Sequence, residues 1–155
     1  MRRVLLSIIA IAAALVVCGP GAAARSESAS VMSFNIRIQF PADTGKYNWE
    51  SRKEGCVKAI RKYHPDIIGL QEATFGQKSF LSKELQKYIM IDGDCKPGTL
   101  NKDSGFNPIL FRADRFDLLG YGTFWLNEDQ EPEAKGWDAE YAVSYTHLTL
   151  PTTPY

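Results

Sequence analysis

Val31-Met32-Ser33-Phe34-Asn35-Ile36-Arg37-Ile38 and Pro65-Asp66-Ile67-Ile68-Gly69-Leu70-Gln71-Glu72 decide the fold, together with the stretch between them. In the first, Met32, Phe34 and Ile36 alternate with Ser33, Asn35 and Arg37, the period of a half-buried strand over 31–38. Residues 51–63 change to helical spacing, with Cys56, Val57 and Ile60 inward and Arg52, Lys53, Lys58, Arg61 and Lys62 supplying the wet side. Glu54 and Lys58 form a favourable pair one turn apart. Pro65 disfavours helical geometry in His64 and stops the helix. The run Ile67, Ile68, Leu70 then predicts a buried strand over 66–71 that ends at Glu72. Strand, helix, strand at this spacing builds a β-α-β-like layer and predicts an α/β (α+β) fold.

Working outward, residues 40–47 hold Pro41, Asp43 and Gly45 and predict a loop. A second helix is expected over 79–88, with Phe80, Leu81, Leu85 and Tyr88 inward, and a broken strand at 88–91 leads into a loop over 92–106. Residues 108–111 read as a strand and Arg112 to Arg115 as a turn. Residues 116–119 and 121–126 read as short antiparallel strands, followed by a polar loop over 127–136. Residues 144–155 carry two prolines and no Asp, Glu, Lys or Arg, and are expected to add little to the fold.

At the other end, Arg2 and Arg3 precede an apolar run from Val4 to Val17 and a small-residue stretch ending Ala22-Ala23-Ala24. That is the three-part pattern of a cleaved export signal over 1–24, followed by a polar leader over 25–30. The run is shorter than the roughly 20 residues a membrane span needs. Cys18 leaves a lipoprotein open, although Leu15-Val16-Val17 lacks the small residues a lipid-attachment site wants, and a retained anchor is the third option. Cys56 and Cys95 would then remain, and an exported protein permits their pairing without requiring it; Cys56 serves equally as a small core residue.

The 155 residues are 45% hydrophobic and 23% charged, a globular composition with room for one ordinary domain. A formal net charge of zero gives no basic excess of the kind a long nucleic-acid footprint calls for.

Two residues stand out chemically. Glu72 closes a buried strand, where a carboxylate is costly unless it is paired, exposed or bound to a cation. Asn35 lies within the first strand: it either faces solvent, opposite Phe34, or ends that strand at a cleft, where α/β layers place their ligands. Adjacent strands would let the two converge. Magnesium takes hard oxygen ligands and often only one or two protein carboxylates, completed by phosphate and water. Trp49 fits a core aromatic at the helix start.

Residues 31–37, Asn48-Trp49-Glu50-Ser51-Arg52 and 65–72 resemble the opening of the endonuclease/exonuclease/phosphatase, or DNase I-like, family. The resemblance continues through Gly105-Phe106-Asn107-Pro108-Ile109-Leu110-Phe111, residues 114–119, Gly122-Thr123-Phe124-Trp125-Leu126 and Gly136-Trp137-Asp138-Ala139, and so covers 31–139. It implies part of a four-layer α/β/β/α sandwich and a secreted or periplasmic phosphoester hydrolase using Mg2+ or Mn2+, monomeric in its full-length form. Its substrate, a small molecule or a nucleic acid, is left open. By the same resemblance Glu72 binds the metal, Asn35 positions the metal or the scissile phosphate, Asn107 lines the cleft, and Arg52 sits at the cleft rim. The family's remaining machinery, a His on a middle strand, an Asp-x-Asn and a closing Asp-His, has no counterpart here. His64 and His147 do not match it. The expectation is therefore an N-terminal half that supplies mostly one sheet and is inactive alone, with residues 140–155 resembling a spurious tail translated from adapter DNA. The alternative is a secreted, non-catalytic binding domain of the same fold.

Overall fold

The computed structural model describes residues 28–93, 96–100 and 107–150. The expectations for the export signal, Cys18 and Cys95 fall outside them. Strand β1 (Val31–Asn35) is followed by a 3-10 turn (Gly45–Tyr47), helix α1 (Trp49–Tyr63), β2 (Ile67–Gln71), α2 (Phe75–Glu84), β3 (Tyr88–Ile91), β4 (Ile109–Arg112), β5 (Gly120–Trp125) and β6 (Ser144–Thr149). The first four-stranded sheet runs β1-β2-β4-β3, with β1 and β2 parallel and the other pairs antiparallel. The expected β-α-β layer is thus its first half. β5 and β6 make a second, two-stranded antiparallel sheet.

Helix α1 starts where Asn48 turns its side-chain oxygen onto the Ser51 N–H (2.8 Å), and it ends at His64, which takes a left-handed conformation (φ 49°) before Pro65. Trp49, Cys56, Val57 and Ile60 form its buried stripe. They meet one face of the large sheet, where Ile68, Leu110 and Met90 share a row and Leu70 lies in the next row but one. Ile36, Ala73, Leu81 and Leu85 complete this core. Fully burying one such aliphatic side chain contributes about 1.5–3 kcal/mol. Cys56 sits inside it, where burial pushes its thiol pKa up. On the opposite face Ile91 and Phe111 are also buried, whereas Val31 is exposed.

Helix α2 begins four residues earlier than its apolar pattern suggests. Thr74 and Gln77 form a reciprocal capping box that fixes the start. Its buried face is Gln77, Lys78 and Leu81, and Lys78 closes onto Asp92 (2.8 Å) inside the protein. Residues 116–119 are not a strand: Phe116 N–H donates back to Arg112 O (3.1 Å), which withdraws it from any ladder. Residues 144–149 contribute more than their composition suggests, since all six pair with β5 and Asn107 Nδ2 donates to Ser144 O (2.9 Å). No helix among the described residues is long and apolar enough to cross a membrane.

Candidate functional site

Parallel pairing puts the C-terminal ends of β1 and β2 side by side, with Asn35 opposite Gln71 and Ile36 N–H donating to Gln71 O (3.1 Å). Both chains then turn through left-handed backbone, at Arg37 (φ 59°) and Glu72 (φ 60°). Strict alternation would send Glu72 to the helix-covered face. The left-handed turn breaks that alternation, and the carboxylate meets Asn35 instead. Asn35 Nδ2 donates to Glu72 Oε1 (2.8 Å), and the Ile38 N–H donates to Oε2 (2.9 Å). Arg37 N–H in turn donates to Asn35 Oδ1 (2.8 Å), which fixes which end of the amide faces the acid. The Asn35 amide first, and then the Ile38 N–H, hold the Glu72 carboxyl below the usual carboxylate range, so it is ionised at neutral pH. The two candidates expected to converge do so.

Two side chains that sequence reasoning did not single out for this task shape the loop over Glu72. Gln77 Oε1 accepts from Thr74 N–H (2.9 Å) and Gln39 N–H (3.2 Å), while its Nε2 donates to Arg37 O (2.8 Å). Arg52, expected at the cleft rim, donates to the carbonyls of Ile36, Arg37 and Tyr47 and thereby ties the start of α1 to the end of β1. Arg37 makes a bidentate pair with Asp43 (3.0 and 2.7 Å), and each holds the other in its charged form. Trp49 is buried as expected and meets Phe80 edge-on, with ring centroids 5.8 Å apart.

Asn107 continues the β2–β4 register to a place opposite Gln71, so Asn35, Gln71 and Asn107 fall in one row across the sheet. Its amide nitrogen is engaged by Ser144 O, and no contact joins it to Glu72 among the described residues. His64 is exposed at the far end of α1. His147 lies on β6 against Phe124, 4.8 Å between ring centroids. No group of three or more His, Cys, Asp or Glu side chains close enough to hold a metal occurs among the described residues. Glu72 is one ionised hard-oxygen donor on an exposed residue, and Asn35 orients it through hydrogen bonding. That donor set fits a divalent cation such as Mg2+ that draws its other ligands from water, substrate or further protein.

No protein-family model matches the chain, and no curated protein matches it. Solved structures do. An endonuclease/exonuclease/phosphatase from Bacteroides vulgatus superposes with a TM-score of 0.69 at 29% identity, covering 77% of this chain and 45% of its own. A mannosyl-6-phosphatase from Bacteroides thetaiotaomicron gives 0.69 at 29% identity over 79% of this chain and 46% of its own. A further endonuclease/exonuclease/phosphatase family protein from that organism gives 0.65 at 30% identity, over 81% and 46%. The chain spans less than half the length of each of these proteins. Over most of its length, therefore, the chain has structural homology to the endonuclease/exonuclease/phosphatase fold, and its sheets and helices form part of a DNase I-like α/β/β/α sandwich.

Proposed function

We propose that this chain carries the N-terminal share of the active site of an exported, divalent-metal-dependent phosphoester hydrolase of the endonuclease/exonuclease/phosphatase family. The observation that carries this is the Glu72 carboxylate, ionised and held by the Asn35 amide and the Ile38 N–H where two parallel strands end. Glu72 would bind Mg2+ or Mn2+. Asn35 keeps that carboxylate charged and aimed, as outer partners of metal ligands do. Asn107, one strand further along the same row, would form the wall against which the phosphoester lies. A bound cation would supply stabilisation of the negative charge that develops on the phosphoryl and leaving-group oxygens. The three-part pattern of residues 1–24 supports export.

The 155 residues alone are proposed to be inactive, since they span less than half of each matched protein and Glu72 is the one metal-directed carboxylate proposed among the described residues. One of the matched structures is a mannosyl-6-phosphatase, so phosphomonoesters are the first substrates to try. The test is phosphate release by the full-length protein with Mg2+, Mn2+ or chelator. Glu72→Ala should remove the metal-dependent rate, and Asn35→Ala should lower it about 10–100-fold. Full activity with unchanged metal dependence in Glu72→Ala would sink the assignment. Binding of a phosphoester without turnover in the unaltered protein would favour the non-catalytic alternative.

A further inference from the structure

At the opposite edge of the large sheet from Glu72 lies a recess of about 640 Å³, between the C-terminal ends of α1 and α2 and the start of β3. β2 and β3 are both antiparallel to β4 and so run the same way, and Tyr88 falls in the row of Asp66, where Arg112 N–H donates to Asp66 O (2.9 Å). Glu72 lies about 20 Å further along the strands. The Tyr88 hydroxyl donates to Pro65 O (2.6 Å) and pins this end of the sheet to the loop after α1. The volume lies within the roughly 300–1,000 Å³ of small-molecule sites. We propose that this recess binds a small anion carrying two or more phosphate groups, at a distance from the metal site. It stands independently of the hydrolase reading.

The chain as a whole is neutral, yet Arg61, Lys83 and Lys87 against Glu84 leave this lining with two positive charges in excess. Arg61 is already committed: its Nη2 donates to the Glu84 carbonyl (2.9 Å) and carboxylate (3.1 Å), which ties the last turns of the two helices together. The Lys83, Lys87 and His64 side chains make no hydrogen bond or salt bridge among the described residues. Asp114, whose charge Lys87 also favours, is held bidentately by Arg112 (2.9 and 2.6 Å). A basic residue in the last turn of a helix answers the helix dipole, which accounts for Lys83. Lys87 lies beyond α2 and His64 beyond α1, so the dipoles do not account for them. His64 takes the left-handed backbone (φ 49°) that glycine adopts at little cost, so its imidazole is held at the recess against backbone strain. Ile60 and Leu85 are buried in the lining, and such low-dielectric walls focus the field of the charges around them. Carboxylates are matched best by the planar fork of a free guanidinium, whereas an ammonium serves a phosphate as a point charge. With Arg61 taken up by Glu84, the lining suits phosphate.

The test is isothermal titration calorimetry on the full-length protein without metal, with inorganic pyrophosphate, citrate and phosphatidylglycerol vesicles as separate probes. Pyrophosphate should bind, about tenfold more tightly than citrate, and its affinity should fall as KCl is raised. Lys83→Gln and Lys87→Gln, both at exposed positions, should each weaken pyrophosphate binding about tenfold. His64→Gly keeps the left-handed helix end, removes the imidazole and should do the same. Glu72→Ala should leave pyrophosphate binding unchanged, which separates this recess from the metal site. Absence of pyrophosphate binding, citrate binding as tight, binding to the vesicles alone, or pyrophosphate binding that neither lysine variant weakens overturns the proposal. Pyrophosphate binding lost in the lysine variants but kept in Glu72→Ala supports it, whether or not the protein hydrolyses phosphoesters.

Discussion

Replacing Gln77 with leucine should loosen the candidate site without touching it. Gln77 is fully buried, and its amide joins three backbone groups: it accepts from Thr74 N–H and Gln39 N–H and donates to Arg37 O. Leucine fills similar space and makes none of these bonds. These three bonds and a fourth, from the Thr74 hydroxyl to Oε1 (2.9 Å), at about 1 kcal/mol each suggest a loss of about 3–4 kcal/mol. Arg52 still donates to Arg37 O, and the added apolar surface is buried, so the net loss should be about 2 kcal/mol. For a protein of this size or larger that is about 4–8 °C in Tm. Gln77→Glu keeps the acceptor but places a carboxyl group in a fully buried position facing the Arg37 carbonyl, and should cost at least as much. Urea unfolding of the full-length protein reads the stability. Amide exchange of Ile38 and Gln39 reads the local effect, because Ile38 is one residue from the broken bond and its N–H rests on Glu72. Stability within about 0.5 kcal/mol of the unaltered protein, or unchanged exchange at both amides, would refute the idea that Gln77 holds this loop.

Asn35→Ala removes the strongest influence lowering the Glu72 pKa, which should rise toward its ordinary value of 4.5 in an NMR titration of the side-chain carboxyl. A depressed carboxyl stabilises the fold above its unfolded pKa and loses that contribution as pH falls through the folded value, so the variant's stability should vary less between about pH 5 and strong acid. At the other end of the strands, burial pushes the Asp66 carboxyl up, but the Ser30 N–H and hydroxyl and the Arg115 guanidinium outweigh it and hold it low. Asp66→Asn should cost about 1–2 kcal/mol at neutral pH and almost nothing in strong acid, as read by denaturation at both. Cys56, buried and with its thiol pushed up, should resist alkylation in the folded protein and react on unfolding, as peptide mass spectrometry of residue 56 would record.

The first half of the large sheet was legible because its periods are clean: two for β1, helical for α1, then the apolar run of β2. The convergence of Asn35 and Glu72 was legible too, since parallel strands bring their ends together. Helix α2 was displaced because its buried face is mostly polar. Gln77 and Lys78 interrupt the apolar stripe, and the Thr74–Gln77 capping box was the signal that marks the true start. The roles of Gln77 and Arg52 depend on where backbone carbonyls point after a turn, which side-chain patterning does not encode. Residues 144–149 lack any stripe, yet backbone pairing with β5 makes few demands on side-chain type.

With Glu72 in its proposed role, the left-handed backbone there sets stability against chemistry at one residue. That conformation costs an ordinary L-residue about 1–2 kcal/mol and costs glycine little. A library randomised at position 72 and selected only for folding should drift toward glycine or asparagine, while one selected for phosphoester hydrolysis should return to glutamate. Under that proposal the position is a meter of selective history: what occupies it would report whether a lineage has been kept for catalysis or only for its shape.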